Sequence, residues 1–231
     1  MREKMNPYKK FVNYLDYLHL TKDYEKEINF IEKFIKKGKI LIAACFTGNR
    51  AKLLSEKGYS VSGFDLNPCV LDICRKKVKG NFFRADMKDF KTSEKFDGII
   101  CLRAINYNLN EKELKKTFSN FKNSLKKGGL LIFDMGLKKG DGSSTKIDEY
   151  HGGNLHITRL THWEPSGKIY EAWDAIFIKK NGKFDFGIHE YNLGAFSVNE
   201  IIRILENSGF DASVKKYDKK TKRKVFVCRK N

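Results

Sequence analysis

The sequence lacks any apolar run that approaches the ~18 residues of a membrane-spanning helix. Its first residues, MREKMNPYKKF, also lack the apolar core of a secretory signal. These two absences argue against a protein with transmembrane helices and favour a cytoplasmic location without a membrane partner. With 231 residues, of which 41% are hydrophobic, the chain can form one good-sized domain and a small additional subdomain.

Paired cysteines are also missing. The five cysteines form no Cys-x-x-Cys pair and are odd in number, which argues against a disulfide framework and against a metal site. Three of them stand in apolar runs typical of strands. We therefore expect reduced thiols in the core and no bound metal; the residues are Cys45, Cys69, Cys74, Cys101 and Cys228.

Acidic residues are few relative to basic ones, with 28 Asp and Glu against 46 Lys and Arg, a formal net charge of +18. Such an excess favours anionic partners, such as nucleic acid or phosphorylated metabolites. It is equally compatible with lysines spread over many solvated faces. Only one stretch near the end, KKYDKKTKRK, is a dense basic cluster.

The order of predicted elements indicates an α/β fold. Two amphipathic segments within residues 1–38 predict N-terminal helices, the second ending at Gly38. Lysine-rich helical stretches then alternate with buried strands, which predicts a doubly wound, mostly parallel sheet. Five strands followed by a C-terminal strand pair make seven; the five are expected at 39–45, 60–64, 81–85, 96–102 and 129–134.

The pattern changes after Met135. A loop without periodicity is followed by three strand-like runs joined by PSG and KNG turns, which predicts antiparallel pairing within residues 151–194. We expect this small β insert to cover the active site, at the carboxyl ends of the main strands. Residues 39–150 and 195–231 then form the main domain.

Three features lie at the predicted carboxyl ends of successive strands, where parallel sheets bind ligands. The stretch ILIAACFTGNRAKLL reads as a strand, a turn with Gly48 and a helix start, where free N–H groups favour an anionic ligand. Asp65 ends the second strand. The number of residues between the glycine turn and Asp65 is about the one at which an acidic residue binds the ribose hydroxyls of a nucleotide. Asp86, ending the third, can accept from an adenine amino group. Alternatively, each aspartate caps a helix.

With these residues the chain resembles the Rossmann-like (class I) S-adenosylmethionine-dependent methyltransferases over nearly its whole length. ILIAACFTGNRAKLL is similar to their first motif, VSGFDLNPCVLDICRKK to the ribose-binding segment, and FFRADMKDF to the adenine segment. The resemblance is greatest to small-molecule N-methyltransferases, which carry segments similar to YLDYLHLTKDYEKE and HEYNLGAFSVNEIIRILENSGF.

The resemblance implies S-adenosylmethionine as the cofactor and a set of contacts with it: Tyr24, Ala44, Phe46, Gly48, Asp65, Leu66, Asp86, Met87, Leu102 and Arg103. Three positions depart from the family pattern. Ile42 replaces an acidic residue of the first strand, Ala44 the first glycine of the loop, and Phe46 the central glycine. Glycine at the central position allows dihedrals that other residues avoid.

Three functions are compatible with these residues. The first is methyl transfer to a small molecule at an amine nitrogen, with His189 or Glu190 as base and Tyr107 positioning the acceptor, for which the net positive charge would favour an anion. The second is RNA methylation, favoured by the basic cluster but not by LRAINY, which stands where base-amine methyltransferases carry Asn/Asp-Pro-Pro-aromatic. The third is a non-catalytic ligand-binding relative, suggested by Ile42 and Phe46. No feature of the sequence indicates an oligomeric state.

Overall fold

The computed structural model describes residues 7–20, 22–217 and 223–231. The chain divides into two compact units. The seven-stranded unit comprises Asp23–Lys139 and Gly194–Asn231, and the four-stranded unit comprises Met1–Lys22 and Gly140–Leu193. The tip of the basic turn, residues 218–222, lies outside the described residues.

The seven-stranded unit alternates helices and strands, as the sequence predicts. Its helices are α2 Tyr24–Glu32, α3 Asn49–Glu56, α4 Pro68–Lys77, α5 Glu111–Ser124 and α6 Val198–Asn207, and α1 is the short helix Pro7–Lys10 of the other unit. Its strands are β1 Lys39–Ala43, β2 Ser60–Asp65, β3 Phe82–Arg84, β4 Phe96–Cys101, β5 Leu125–Met135, β10 Phe210–Lys215 and β11 Lys224–Lys230.

The sheet has the order β10-β11-β5-β4-β1-β2-β3. Strands β1 to β5 are parallel, whereas β11 pairs antiparallel with both β5 and β10. The predicted doubly wound, mostly parallel seven-stranded sheet is therefore confirmed. The strand order reverses between β1 and β4, which is where ligands bind in sheets of this kind.

Both faces of this sheet are covered by core side chains, as expected for parallel strands. Along β1, Leu41 and Ala43 belong to one buried cluster, and Ile40 and Ile42 belong to the other. Ile42 is almost fully buried and shares its cluster with Ile28 and Ile31 of α2. The position that carries an acid in the resembling family is thus a core position in this chain.

The four-stranded unit is an antiparallel sheet in the order β6-β7-β8-β9. Strands β7 Leu155–Ser166, β8 Ile169–Lys180 and β9 Lys183–Gly194 correspond to the three predicted runs. Strand β6 Ser144–Gly152, which pairs with β7, was expected to be part of a loop and of the insert's start. It is a mostly exposed edge strand, so its sequence carries little apolar alternation.

The N-terminal segment differs from its prediction in two ways. The first predicted helix is α1 followed by two 3-10 turns, although Phe11, Leu15 and Leu18 are buried at helical spacing. Residues 1–22 also group with the insert strands rather than with α2. Within that unit, the Tyr8 hydroxyl donates to Asp174 at 2.5 Å, which ties the segment to β8.

Gly38 does not end α2, which stops at Glu32. Its φ is 129°, and an added Cβ would overlap a carboxylate oxygen of Asp97. Glycine is needed there for a close approach, not for a helix cap. Among the described residues, no helix has both the length and the apolar character needed to span a membrane.

Candidate active site

The loop between β1 and α3 keeps the backbone of a glycine-rich turn with only one glycine. Ala44, Phe46 and Gly48 have φ values of 53°, 54° and 82°, all in the left-handed region. A residue with a side chain pays roughly 1–2 kcal/mol for this conformation. The loop therefore holds the two substituted positions in the geometry that glycine adopts freely.

Gly48 is the N-cap residue of α3, and the space around it admits no side chain. An added Cβ would lie 2.5 Å from the Cys74 sulfur of α4, well inside contact distance. The glycine therefore lets the loop lie directly on α4. The start of α3 presents the helix N–H groups that attract an anionic ligand.

Asp65, at the end of β2, is connected to this loop by a hydrogen bond. Its Oδ2 accepts from the Phe46 N–H at 2.9 Å, and its Oδ1 accepts from the Asn67 N–H at 3.0 Å. Burial raises the pKa of Asp65, while the N–H donors of Asn67, Phe46 and Leu66 oppose that shift. Asn67, not Asp65, caps α4, so the helix-cap interpretation of Asp65 is wrong. Leu66 is largely exposed beside it.

Asp86 and Met87 follow β3 in a turn. The Asp86 Oδ1 accepts from the Lys88 N–H at 2.9 Å, and its other oxygen lies 3.6 Å from the Lys88 ammonium. Asp86 thus shapes a turn rather than capping a helix, and it keeps further acceptor positions for a ligand. The Met87 sulfur lies 3.4 Å from the side-chain nitrogen of Asn108.

Leu102 and Arg103 directly follow β4, next to the point where the strand order reverses. Leu102 is buried, whereas Arg103 has φ 63° and its N–H donates to Asp134 Oδ1 at 2.5 Å. The Arg103 guanidinium lies 3.4 Å from Glu27 and is 43% exposed. Arg103 is therefore a cation that a ligand can reach.

A buried charged cluster beside these residues was not predicted. Arg50 of α3 donates to Glu27 of α2 at 2.7 Å, and both side chains are almost fully buried. Asp134, fully buried at the end of β5, lies 3.2 Å from Arg223. The position of Asp134 at the carboxyl end of a predicted strand could have indicated a site residue. Glu27 and Arg50 lie on helices, where no comparable sequence rule indicates them.

Tyr24 stands at the edge of this cluster. The side-chain amide of Asn49 lies 3.4 Å from its hydroxyl, and the Arg50 guanidinium lies 5.4 Å from its ring centre. Tyr24 thus contacts the first turn of α3, directly after the loop. The structure brings together the predicted cofactor residues from α2, the loop and the ends of β2, β3 and β4 within the seven-stranded unit.

Tyr107 lies in a 3-10 turn after β4 and is half exposed. The buried side chain of Asn106 anchors this turn by donating to the carbonyls of Leu137 and Gly194, at 3.0 and 2.9 Å. The segment LRAINY therefore holds its asparagine inward as a structural anchor. Tyr107 is half exposed in the same turn.

His189 and Glu190 belong to β9 of the four-stranded unit. Successive strand residues point to opposite faces, and His189 is half-buried while Glu190 is exposed. The His189 ring lies 5.5 Å from that of Tyr8 and stacks on Tyr191 at 5.3 Å. Burial lowers the pKa of His189, against the attraction of Asp174 and Glu190. The two predicted bases therefore cannot share one face.

Residues 40–129 match a family model described as a methyltransferase domain. The matched segment runs from β1 into β5. It is 28% identical over 218 residues to YqeM of Bacillus subtilis (strain 168), a protein provisionally named as a methyltransferase, covering 88% of this chain and 86% of that one. The predicted resemblance to Rossmann-like methyltransferases is confirmed.

Solved structures share the fold over nearly the whole chain. The sugar N-methyltransferase KedS8 from Streptoalloteichus sp ATCC 53650 has a TM-score of 0.86 at 21% identity, covering 95% of this chain and 92% of that one. The amino pentose methyltransferase CalS10 from Micromonospora echinaspora, solved with bound SAM, has a TM-score of 0.81 at 18% identity, covering 95% and 97%. These similarities establish the fold.

Proposed function

We propose that this methyltransferase moves a methyl group from S-adenosylmethionine to an amine nitrogen of a small molecule. One observation carries the proposal: the loop after β1 is hydrogen-bonded to Asp65 through the Phe46 N–H. Asp86, Met87 and Arg103 follow the neighbouring strands of the same sheet. The N-methyltransferases among the proteins of the same fold support the choice of nitrogen.

The residues present suit the adenosine part of this cofactor. Asp65 accepts from backbone N–H groups on both of its oxygens, and its carboxylate keeps further acceptor capacity for a ligand. We assign that capacity to the two ribose hydroxyls. Burial raises the pKa of Asp65, and hydroxyl donors would stabilise its charged form. Asp86 would accept from the adenine amino group.

The amino-acid part of the cofactor meets a different set of groups. Ile42 supplies no carboxylate, and the nearby acids Glu27 and Asp134 are already paired with arginines. Three guanidiniums face two carboxylates in this cluster, so the excess charge is positive. Arg103, the accessible member, is the residue we assign to the cofactor's carboxylate.

The bound cofactor supplies an electrophilic methyl group, and its transfer needs no nucleophile from the protein. The protein's contribution is alignment and exclusion of water, worth up to ~7–11 kcal/mol for well-oriented partners. An amine acceptor must lose its proton first. His189 is the base we assign, because its lowered pKa keeps the imidazole neutral near pH 7. Tyr107 would position the acceptor.

RNA methylation is the second candidate, favoured by the net charge of +18. Binding to phosphates would release counterions, so the affinity for bulk tRNA would fall steeply with added salt. Retention of tRNA at physiological salt, with methylation of it, would favour RNA over a small amine. The anionic character of a small acceptor follows from the same charge.

Calorimetry with S-adenosylmethionine tests the proposal directly. The chain should bind one equivalent, and Asp65→Ala should weaken binding by at least ~1.5 kcal/mol, the usual worth of a charged hydrogen bond. Asp72→Ala is the matched control, because Asp72 is an exposed aspartate of α4 that pairs with Arg75. Unchanged affinity in a folded Asp65→Ala protein would remove Asp65 from the site, and no binding by the unaltered chain would favour a non-catalytic relative.

A further inference from the structure

A cavity of about 540 Å³ lies within the four-stranded unit. Its walls come from the N-terminal segment and from the β8–β9 hairpin, and they include none of the residues assigned to the cofactor or the acceptor. Its volume is within the range of small-molecule sites, ~300–1,000 Å³. Most of the side chains that line it are aromatic or basic, and Ile178, Asn181 and Asp185 complete the lining.

The basic side chains carry more positive charge than their surroundings neutralise. Lys10 forms an ion pair with Asp185. Lys180 donates to the Tyr14 hydroxyl at 3.3 Å, and its ammonium lies 5.4 Å from the centre of that ring. In the described part of the chain, no carboxylate lies within 4.0 Å of the ammonium of Lys180 or Lys183. Two ammonium groups at this cavity are thus available to an anion.

The aromatic side chains provide flat apolar surface beside these ammonium groups. Phe11 is buried and Tyr14 half-buried, while Phe184 is 77% exposed. So much exposure is unusual for a phenylalanine, and a second ring packed on it would remove that apolar area from water. Rings next to unpaired cations suit a ligand that has both a flat ring and a negative charge.

We propose that this cavity binds a small aromatic anion, a flat ring that carries a phosphate group. The ring packs against Phe184 and Tyr14, and the phosphate binds Lys180 and Lys183. A phosphate is favoured because two ammonium groups match its double charge and its several acceptor oxygens. The proposal does not depend on methyl transfer, since the cavity shares no residue with the cofactor site.

Calorimetry with phenyl phosphate tests the site, with inorganic phosphate and cyclohexyl phosphate for comparison. Phenyl phosphate should bind with one-to-one stoichiometry, and about tenfold more tightly than either of the other two. Lys180→Gln and Lys183→Gln should each weaken phenyl phosphate by about tenfold. Lys168→Gln is the matched control, since it removes the same charge from an exposed turn of the same unit.

Three outcomes would overturn the proposal. The first is the absence of saturation up to about 10 mM phenyl phosphate, well beyond any specific affinity. The second is equal weakening by all three glutamine variants, which would mean attraction to the net charge of the chain. The third is equal affinity for phenyl and inorganic phosphate, which would exclude the ring from the recognition. Unfolding temperatures of the variants confirm that each is folded.

Discussion

Phe46 combines a glycine-like backbone with a bulky side chain at the tip of the cofactor loop. Its φ is already 54° and its N–H already binds Asp65, so Phe46→Gly should leave the loop in place. We expect the affinity for S-adenosylmethionine to change by no more than about tenfold, or ~1.4 kcal/mol. Because the ring would lie at the acceptor mouth, the variant should also accept a wider range of amines. Calorimetry and acceptor screening measure the two effects.

The control for this change is Phe46→Leu, which keeps a side chain at the strained position but removes the ring. We expect Phe46→Leu to accept the same range of amines as Phe46→Gly. We expect its loop backbone to be as strained as that of the unaltered chain. If Phe46→Gly instead gains far more than tenfold in cofactor affinity, the ring occupies the site of the cofactor's methionine part. The unaltered chain would then be a relative that has lost its cofactor.

His189 should make the stability of the protein depend on pH. Its pKa is lowered from 6.5, so below that value the unfolded chain binds more protons at this residue than the folded chain does. The free energy of unfolding should therefore rise with pH up to about 6.5 and gain nothing from His189 above it. Unfolding in urea at about pH 5.5 and 7.5 measures the rise, which should be smaller in His189→Gln.

The matched variant is His156→Gln, which removes an exposed histidine of the same sheet. This variant controls for the loss of an imidazole from the same sheet. If the two variants behave alike, His189 is not desolvated in the folded protein. Its assignment as a base that is neutral near pH 7 would then lose its physical basis.

Helices α2 and α3 are joined by the buried pair of Glu27 and Arg50. Glu27→Leu would leave the Arg50 charge buried without its partner, which typically costs about 3–5 kcal/mol. The double variant Glu27→Leu, Arg50→Met replaces both charges with apolar side chains of similar size and should recover most of this loss. Chemical denaturation of the single and double variants gives the comparison. A double variant no more stable than the single one would show that the pair itself is not the cause.

The elements that could be predicted from sequence were those whose local chemistry and tertiary packing agree. Asn67 with Pro68 begins α4, and Ser197 with Glu200 forms a full capping box at α6; both are helix-start signals that the sequence itself contains. At α5 Asn110 caps the helix, but the Glu113 side chain accepts from the Leu109 backbone N–H and from the Asn110 side-chain amide, not from the Asn110 backbone N–H. A capping residue acts within four positions of itself, so the sequence contains the whole interaction.

Elements decided by distant contacts could not be predicted. The sequence predicts that Gly38 ends a helix. In the structure a glycine is needed there because the Asp97 side chain, distant in sequence, lies against its backbone. Strand β6 has an exposed, polar sequence, and only its pairing with β7 makes it a strand. The N-terminal segment keeps its apolar spacing but packs in 3-10 turns against its own sheet.

At the scale of the molecule, the position of the site followed from one rule of topology. Parallel strands gather their carboxyl ends at one edge, so the predicted strand ends already locate Asp65, Asp86 and Arg103 at that edge. The same rule would have found Asp134 at the end of β5. It could not find Glu27 or Arg50, because helical residues approach that edge only through tertiary packing. The family that the chain resembles carries an acidic residue at the position of Ile42. In this chain Ile42 is instead buried in the core.

Cofactor binding should be visible in the molecule as a whole. S-adenosylhomocysteine at about 100 times its dissociation constant should raise the free energy of unfolding by ~2.7 kcal/mol, because only the folded state binds it. Amide hydrogen exchange should slow at residues 44–48, 65–67 and 86–88, whose backbones form the proposed site. Asp65→Ala should reduce all these changes together, and exchange that slows outside these segments alone would place the ligand elsewhere on the chain.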